Sequence, residues 1–212
     1  MWELVKAGGW LMIPLVLCSI FTVAIAIERF VRLKRAMVLP KALFLTGGQD
    51  VQQVVQQLQQ SNPLQNSSLG RILLAGLQSQ KQSEQYARAQ MEATASQEIG
   101  YLEKNINFLG TLSAVAPLLG LLGTVVGIIE SFLVIDVGTN SNPTMMIPGI
   151  SKALITTAAG MLIAIPALFA YRYFQRLVQE YVAELEQQST LFHAALFYQN
   201  SAVEEHELRK AG

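Results

Sequence analysis

Residues 149–166 read "GISKALITTAAGMLIAIP". The stretch is apolar enough to lie in lipid, yet Lys152 stands near one end and Thr156 and Thr157 sit side by side inside it. Gly160, small alanines and Pro166 follow, and the apolar run stops at residue 171 against Arg172 and Arg176. A membrane helix over residues 149–171 is the direct reading. Working backwards, residues 136–148 ("DVGTNSNPTMMIP") form a short loop without Lys or Arg. Before it, residues 107–135 ("NFLGTLSAVAPLLGLLGTVVGIIESFLVI") make a second apolar run. That run is longer than a bilayer needs, so the helix tilts or begins below the membrane.

A third apolar run, "WLMIPLVLCSIFTVAIAI", occupies residues 10–27. At about 1.5 Å per residue it is roughly 27 Å long, close to the ~30 Å hydrocarbon core. Arg29, Arg32, Lys34 and Arg35 crowd its far flank, and only Lys6 precedes it. A signal peptide carries its positive charge before the apolar run, so this segment reads as a retained anchor. Leu17 before Cys18 does not suit a lipoprotein cleavage site. The positive-inside rule puts residues 1–9 outside and residue 28 onward in the cytoplasm. Arg172 and Arg176 anchor the last span on the same inner side, so three spans leave the N-terminus out and the C-terminus in.

Half the residues (51%) are hydrophobic, 14% are charged, and the mean hydropathy is positive. This balance suits long spans joined to a substantial water-facing part. Residues 28–106 and 172–212 supply that part. "VQQVVQQLQQ" (51–60) and residues 71–106 read as helices broken at "SNPLQNSS" (61–68). After the third span, Leu177, Tyr181 and Leu185, with Val178, Val182 and Phe192 near them, keep a helical apolar period. Two spans thus extend into a cytoplasmic helical bundle, and the polar segment from residue 202 reads as a frayed tail. Lys plus Arg equals Asp plus Glu at 15 each, so no charge excess argues for nucleic acid. One cysteine and two distant histidines offer no disulfide framework and no metal site. The spans lack the clustered His, Cys or carboxylates of a membrane enzyme, so catalysis and a bound cofactor are not expected.

Small and hydroxylated residues recur at helical spacing on two spans. Ser113, Ala116, Gly120, Thr124, Gly127 and Ser131 share one face of the second span; Ala153, Thr157, Gly160, Ala164 and Ala167 share one face of the third. The plain reading is helix packing, because small residues let backbones approach in a solvent with no hydrophobic drive of its own. Thr124 and Thr157 also fall at similar depth, so the two hydroxyls can line a polar path, or bond to carbonyls of their own helices. Thr156 points about 100° away and reads as packing. Pro14, Pro117 and Pro166 place one proline in each span, each a candidate kink. Glu130 and Lys152 stand at comparable depth near the loop. An ion pair between them is one reading, and a role for Glu130 in admitting protons is the other. No Asp, Glu or His sits near the centre of any span. A proton crossing here needs a titratable group from another chain.

"APLLGLLGTVVGIIESF" (116–132) and "PGISKALITTAAGMLIAIPALFAYRYF" (148–174), with "ERFVRL" after the first span, make the chain resemble the ExbB/TolQ/MotA proton-channel family, ExbB and TolQ most closely. The resemblance implies an inner-membrane homo-oligomeric ring, commonly of five subunits, surrounded by lipid. It implies a single-span ExbD-like or TolR-like partner with an essential membrane aspartate. Proton flow would then energise a TonB-like or TolA-like protein, for outer-membrane uptake or envelope integrity. The family's pore threonines match Thr124 and Thr157. Members often carry glutamate in the third-span motif, where this chain has Lys152, so that carboxylate is not carried over. Glu130 stands near enough to compensate. The contrasting expectation is a structural membrane scaffold without proton flux.

Overall fold

The structure, a computed structural model, describes residues 8–45, 51–136 and 143–211, with side-chain surroundings given for 8–45, 51–133 and 144–198. Every regular element among them is helical. In chain order these are α1 (Met12–Arg32), α2 (Arg35–Val38), the 3-10 turn Lys41–Leu43, α3 (Val51–Gln60), α4 (Asn62–Gln65), α5 (Ser68–Ser79), α6 (Glu84–Glu103), α7 (Ile106–Asp136), the 3-10 turn Pro143–Met146, and α8 (Ile147–Ala211). Three helical stretches are long and apolar enough to cross a membrane: one in α1, one in α7 and one in α8. The chain divides into two units, Met1–Arg29 with Asn105–Gln175, and Phe30–Lys104 with Arg176–Gly212.

The first unit reverses the pattern of a water-soluble core. Between its spans the interior holds Ala116, Ser113, Ser131, Ala153, Ala164 and Ala167 beside a few large residues such as Leu15 and Leu109, whereas Leu118, Leu121, Phe132, Leu154, Leu162 and Phe169 face outward. In water that arrangement would be costly, since each large apolar side chain left exposed forgoes about 1.5–3 kcal/mol. In lipid it costs nothing, and the small residues let the helix backbones close up. Met12 and Leu15 of α1 pack onto Ala116 and Ala164, joining the first helix to the other two.

The second unit has an ordinary apolar core, mainly leucines and valines with Ile72, Met91, Tyr181 and Phe192. Helices α5 and α6 form an antiparallel hairpin. Arg71 donates to Glu98 at 2.9 Å across it, and Gly76 lies against Met91. Along α8, Val178, Tyr181, Leu185, Gln188, Phe192 and Leu196 are buried at intervals of three or four. This stripe grips residues 33–45: Tyr181 donates to the Leu33 carbonyl, Glu184 accepts two bonds from Arg35, and Gln188 accepts from the Leu45 amide.

Several boundaries differ from the expectations. The expected helix over 71–106 is interrupted twice. At residues 80–83, Ser83 caps α6 by accepting from the Tyr86 amide at 3.1 Å. At Asn105 the backbone turns left-handed, with φ 61°, a conformation asparagine tolerates better than most residues. Inside the expected break at 61–68, α4 forms with Pro63 in its first turn, where a missing amide costs no bond. Helix α1 runs through Glu28 and Arg29 to Arg32, and α8 continues through the expected frayed tail to Ala211. That tail is rich in Ala, Glu, Leu, Lys and Arg, all good helix formers. Pro14 is no kink, because it falls in the first turn of α1. Only Pro117 and Pro166 lie inside their helices. Leu177 and Val182 stand at the edge of the buried stripe, not in it. Residues 1–7 and 137–142, which include Lys6 and six of the thirteen residues of the expected loop over 136–148, lie outside the described residues.

Candidate functional site

Helices α7 and α8 run antiparallel at near backbone contact. A Cβ placed on Gly160 would come within 2.7 Å of the Ala116 carbonyl oxygen, and one on Gly127 within 2.8 Å of the Gly149 carbonyl oxygen. Gly120 lies against the Thr157 backbone and Gly123 against the Thr156 side chain. Residue pairs from 116/160 through 127/153 therefore share one register, which sets Thr157 beside Gly120 and Thr124 about one helical turn further along the seam. Gly123 is absent from the face expected on sequence grounds. Its signal was available in the repeated Gly120, Gly123 and Gly127, three glycines within two turns.

The two candidate hydroxyls take different partners. Thr157 Oγ1 donates to the Gly120 carbonyl at 2.8 Å, across the helix pair. Thr124 Oγ1 donates to the Leu121 carbonyl at 2.6 Å, within its own helix. Each hydroxyl proton is thus committed to backbone, while the oxygen lone pairs stay open as acceptors. Thr124 and Thr157 are both incompletely buried. Thr156 has the opposite character. It is 1% exposed, wedged against Gly123, and donates to the Lys152 carbonyl at 2.8 Å and the Gly8 carbonyl at 3.1 Å.

One helical turn from Thr156, Lys152 Nζ donates to both carboxylate oxygens of Glu130, at 2.7 and 3.0 Å. The side chains are 27% and 43% exposed, so the pair is only half withdrawn from its surroundings. The Lys152 stem lies on Gly9, whose φ of 74° suits glycine and where a Cβ would collide with that stem. Beside the pair, Ser131 donates to the Gly127 carbonyl at 2.8 Å.

The basic residues fall into distinct settings. Arg32, Lys34, Arg35, Arg172 and Arg176 are exposed, and Arg35 and Arg176 pair with Glu184 and Glu180. Arg29 is only 1% exposed and donates to Glu28 at 3.1 Å, and Glu28 also accepts from Asn105 at 3.1 Å. Arg29 is therefore a packed residue at the end of the first unit. Among the described residues no cluster of His, Cys, Asp and Glu is arranged to hold a metal ion.

Residues 64–187, which include Thr124, Glu130, Lys152 and Thr157, match the model of the MotA/TolQ/ExbB proton channel family. The chain is 34% identical over 199 residues to a putative biopolymer transport protein, ExbB-like 1, of Synechocystis sp. That match spans 91% of this chain and 78% of the relative. It is 36% identical over 111 residues to the Tol-Pal system protein TolQ of Haemophilus influenzae, covering 50% of this chain and 49% of TolQ. It is 40% identical over 85 residues to the biopolymer transport protein ExbB of Salmonella typhimurium, covering 40% of this chain and 35% of that protein. With its three apolar helices, the chain is a multi-pass membrane protein, and it belongs to the MotA/TolQ/ExbB proton channel family.

Proposed function

We propose that this chain is the ring-forming subunit of an inner-membrane proton channel. With a single-span ExbD-like partner carrying a membrane aspartate, it uses the proton motive force to energise TonB-dependent transport across the outer membrane. The N-terminus lies in the periplasm, and the second helical unit and the C-terminus lie in the cytoplasm. The protein acts without covalent catalysis. The observation that carries the reading is the pair of hydroxyls, Thr157 and Thr124, about a helical turn apart along the α7–α8 seam, in spans with no acid near their centres. Threonine cannot itself release a proton at physiological pH, so the titrating group belongs to another chain. Thr124 and Thr157 then supply acceptor lone pairs to that chain's protonated carboxyl, and can turn their hydroxyls to donate once it ionises. The small-residue seam between α7 and α8 fixes the spacing of the two hydroxyls.

A TolQ-like role in envelope integrity is the second reading, favoured by the TolQ match across half of the chain. Purification from native membranes in mild detergent, followed by native mass spectrometry, tests both. The expected result is a multimer, five copies by the family resemblance, carrying a small single-span protein with a membrane aspartate. Whether that protein is ExbD-like or TolR-like decides between the two outputs. A homogeneous assembly with no such partner would instead support a scaffold without proton flux.

A further inference from the structure

We infer that Glu130 acts as a fixed counter-ion to Lys152 and not as a proton carrier, so that the two form a positioning pair at the mouth of the path. The inference rests on the proton-channel reading above.

The position of Lys152 is set by three elements at once. Its stem lies on Gly9, a left-handed glycine with no room for a Cβ. Its carbonyl accepts from Thr156, which also donates to Gly8. Its ammonium donates to both oxygens of Glu130 on α7. The cation is therefore built into the junction of α8, α7 and the segment leading into α1. It stands five residues from Thr157, roughly 7–8 Å along the helix. A bare ammonium so close to the path would oppose an incoming positive charge, because charges in a poorly hydrated site interact by more than RT at this range. Glu130 cancels that field. With both carboxylate oxygens accepting from one ammonium, Glu130 is held as the charged partner of Lys152. A carboxylate that relayed protons would lose its charge at each transfer and leave the Lys152 ammonium without its counter-charge.

The two roles predict opposite double variants. The full chain with its co-purified partner is reconstituted in liposomes, and proton uptake under a potassium diffusion potential is measured. E130Q, which strands the ammonium, should slow uptake roughly tenfold or more. E130Q/K152Q, which removes both charges, should rescue uptake to within about threefold of wild type, and E130D should also rescue it. If the double variant stays as slow as E130Q, Glu130 itself is needed and the inference is overturned. E130Q at the wild-type rate overturns it equally. Native mass spectrometry checks that each complex is assembled. Should E130Q fail to assemble, the double variant alone decides, with rescued flux supporting the pair and lost flux refuting it. A wild-type complex that moves no protons would refute the channel reading itself, a result visible in the control arm alone.

Discussion

Thr157 on α8 donates its hydroxyl proton to the Gly120 carbonyl on α7, 2.8 Å away, so a candidate path residue also stitches the two helices together. Valine keeps the shape of threonine and removes the hydroxyl. An interhelical hydrogen bond in lipid contributes on average about 0.6 kcal/mol, so T157V should lower thermal stability only slightly. Proton-coupled work should nevertheless fall roughly tenfold or more, the scale of losing one positioned proton-transfer group. T157S should retain most of it. Parallel measurement of unfolding temperature and proton uptake checks the separation, and equal, small losses in both would assign Thr157 to packing alone.

Gly160 offers a test of the seam. The 2.7 Å approach of a Cβ to the Ala116 carbonyl means that even G160A must push α7 and α8 apart. Overpacking of this kind costs about 1–3 kcal/mol, and G160L should exceed that range. G160A should lower the unfolding temperature in detergent, and G160L should fail to accumulate in membranes. The change separates Thr157 from Gly120, so G160A should reduce proton uptake as well.

Much of this was legible in the sequence because lipid simplifies the problem. Apolar runs of membrane length, flanked by Arg29 to Arg35 and by Arg172 and Arg176, marked the three spans. The spacing of Gly120, Gly127, Gly160 and Ala164 marked the face that became the α7–α8 seam. Placing Glu130 beside Lys152 needed only an antiparallel hairpin with a short connection, whereas Thr124 lies about one turn along the seam from Thr157. What escaped was set by individual contacts. Nothing in the order of residues says that Thr156 would reach the Gly8 carbonyl, 148 positions away along the chain. The same holds for Arg29, which reads as a flanking cation yet is packed against Glu28. The interruption at Asn105 was missed because its cause is a single left-handed residue within an otherwise helical composition.

Gly100 provides a stabilising change. It lies within α6, and a Cβ there meets no atom within 4 Å. Glycine in a helix is disfavoured relative to alanine by about 0.5–1 kcal/mol, chiefly through backbone entropy. G100A should therefore raise the unfolding temperature of the purified protein without altering proton uptake. A lowered temperature in the assembled complex, with a raised one in the dissociated chain, would show that another subunit packs against this face.

Tyr198 gives the protein a pH signature outside the membrane. Its hydroxyl donates to the Glu84 carboxylate at 2.8 Å. That hydrogen bond, and then the carboxylate's negative charge, hold the phenol above its ordinary value of 10.0, with Arg88 opposing slightly. A raised value in the folded state means that the contact is fully present below pH 10.0 and is lost as pH rises through the raised value. The site is fully exposed, so solvent screening keeps its effect on stability small. The chain has six tyrosines, so the measurement is a difference. Ultraviolet tyrosinate absorbance of the wild type minus that of Y198F isolates Tyr198 and should titrate above the ordinary phenol range. Repeated in an E84Q background, the difference curve should move back toward that range. An unchanged curve would mean that Glu84 is not what holds the phenol protonated.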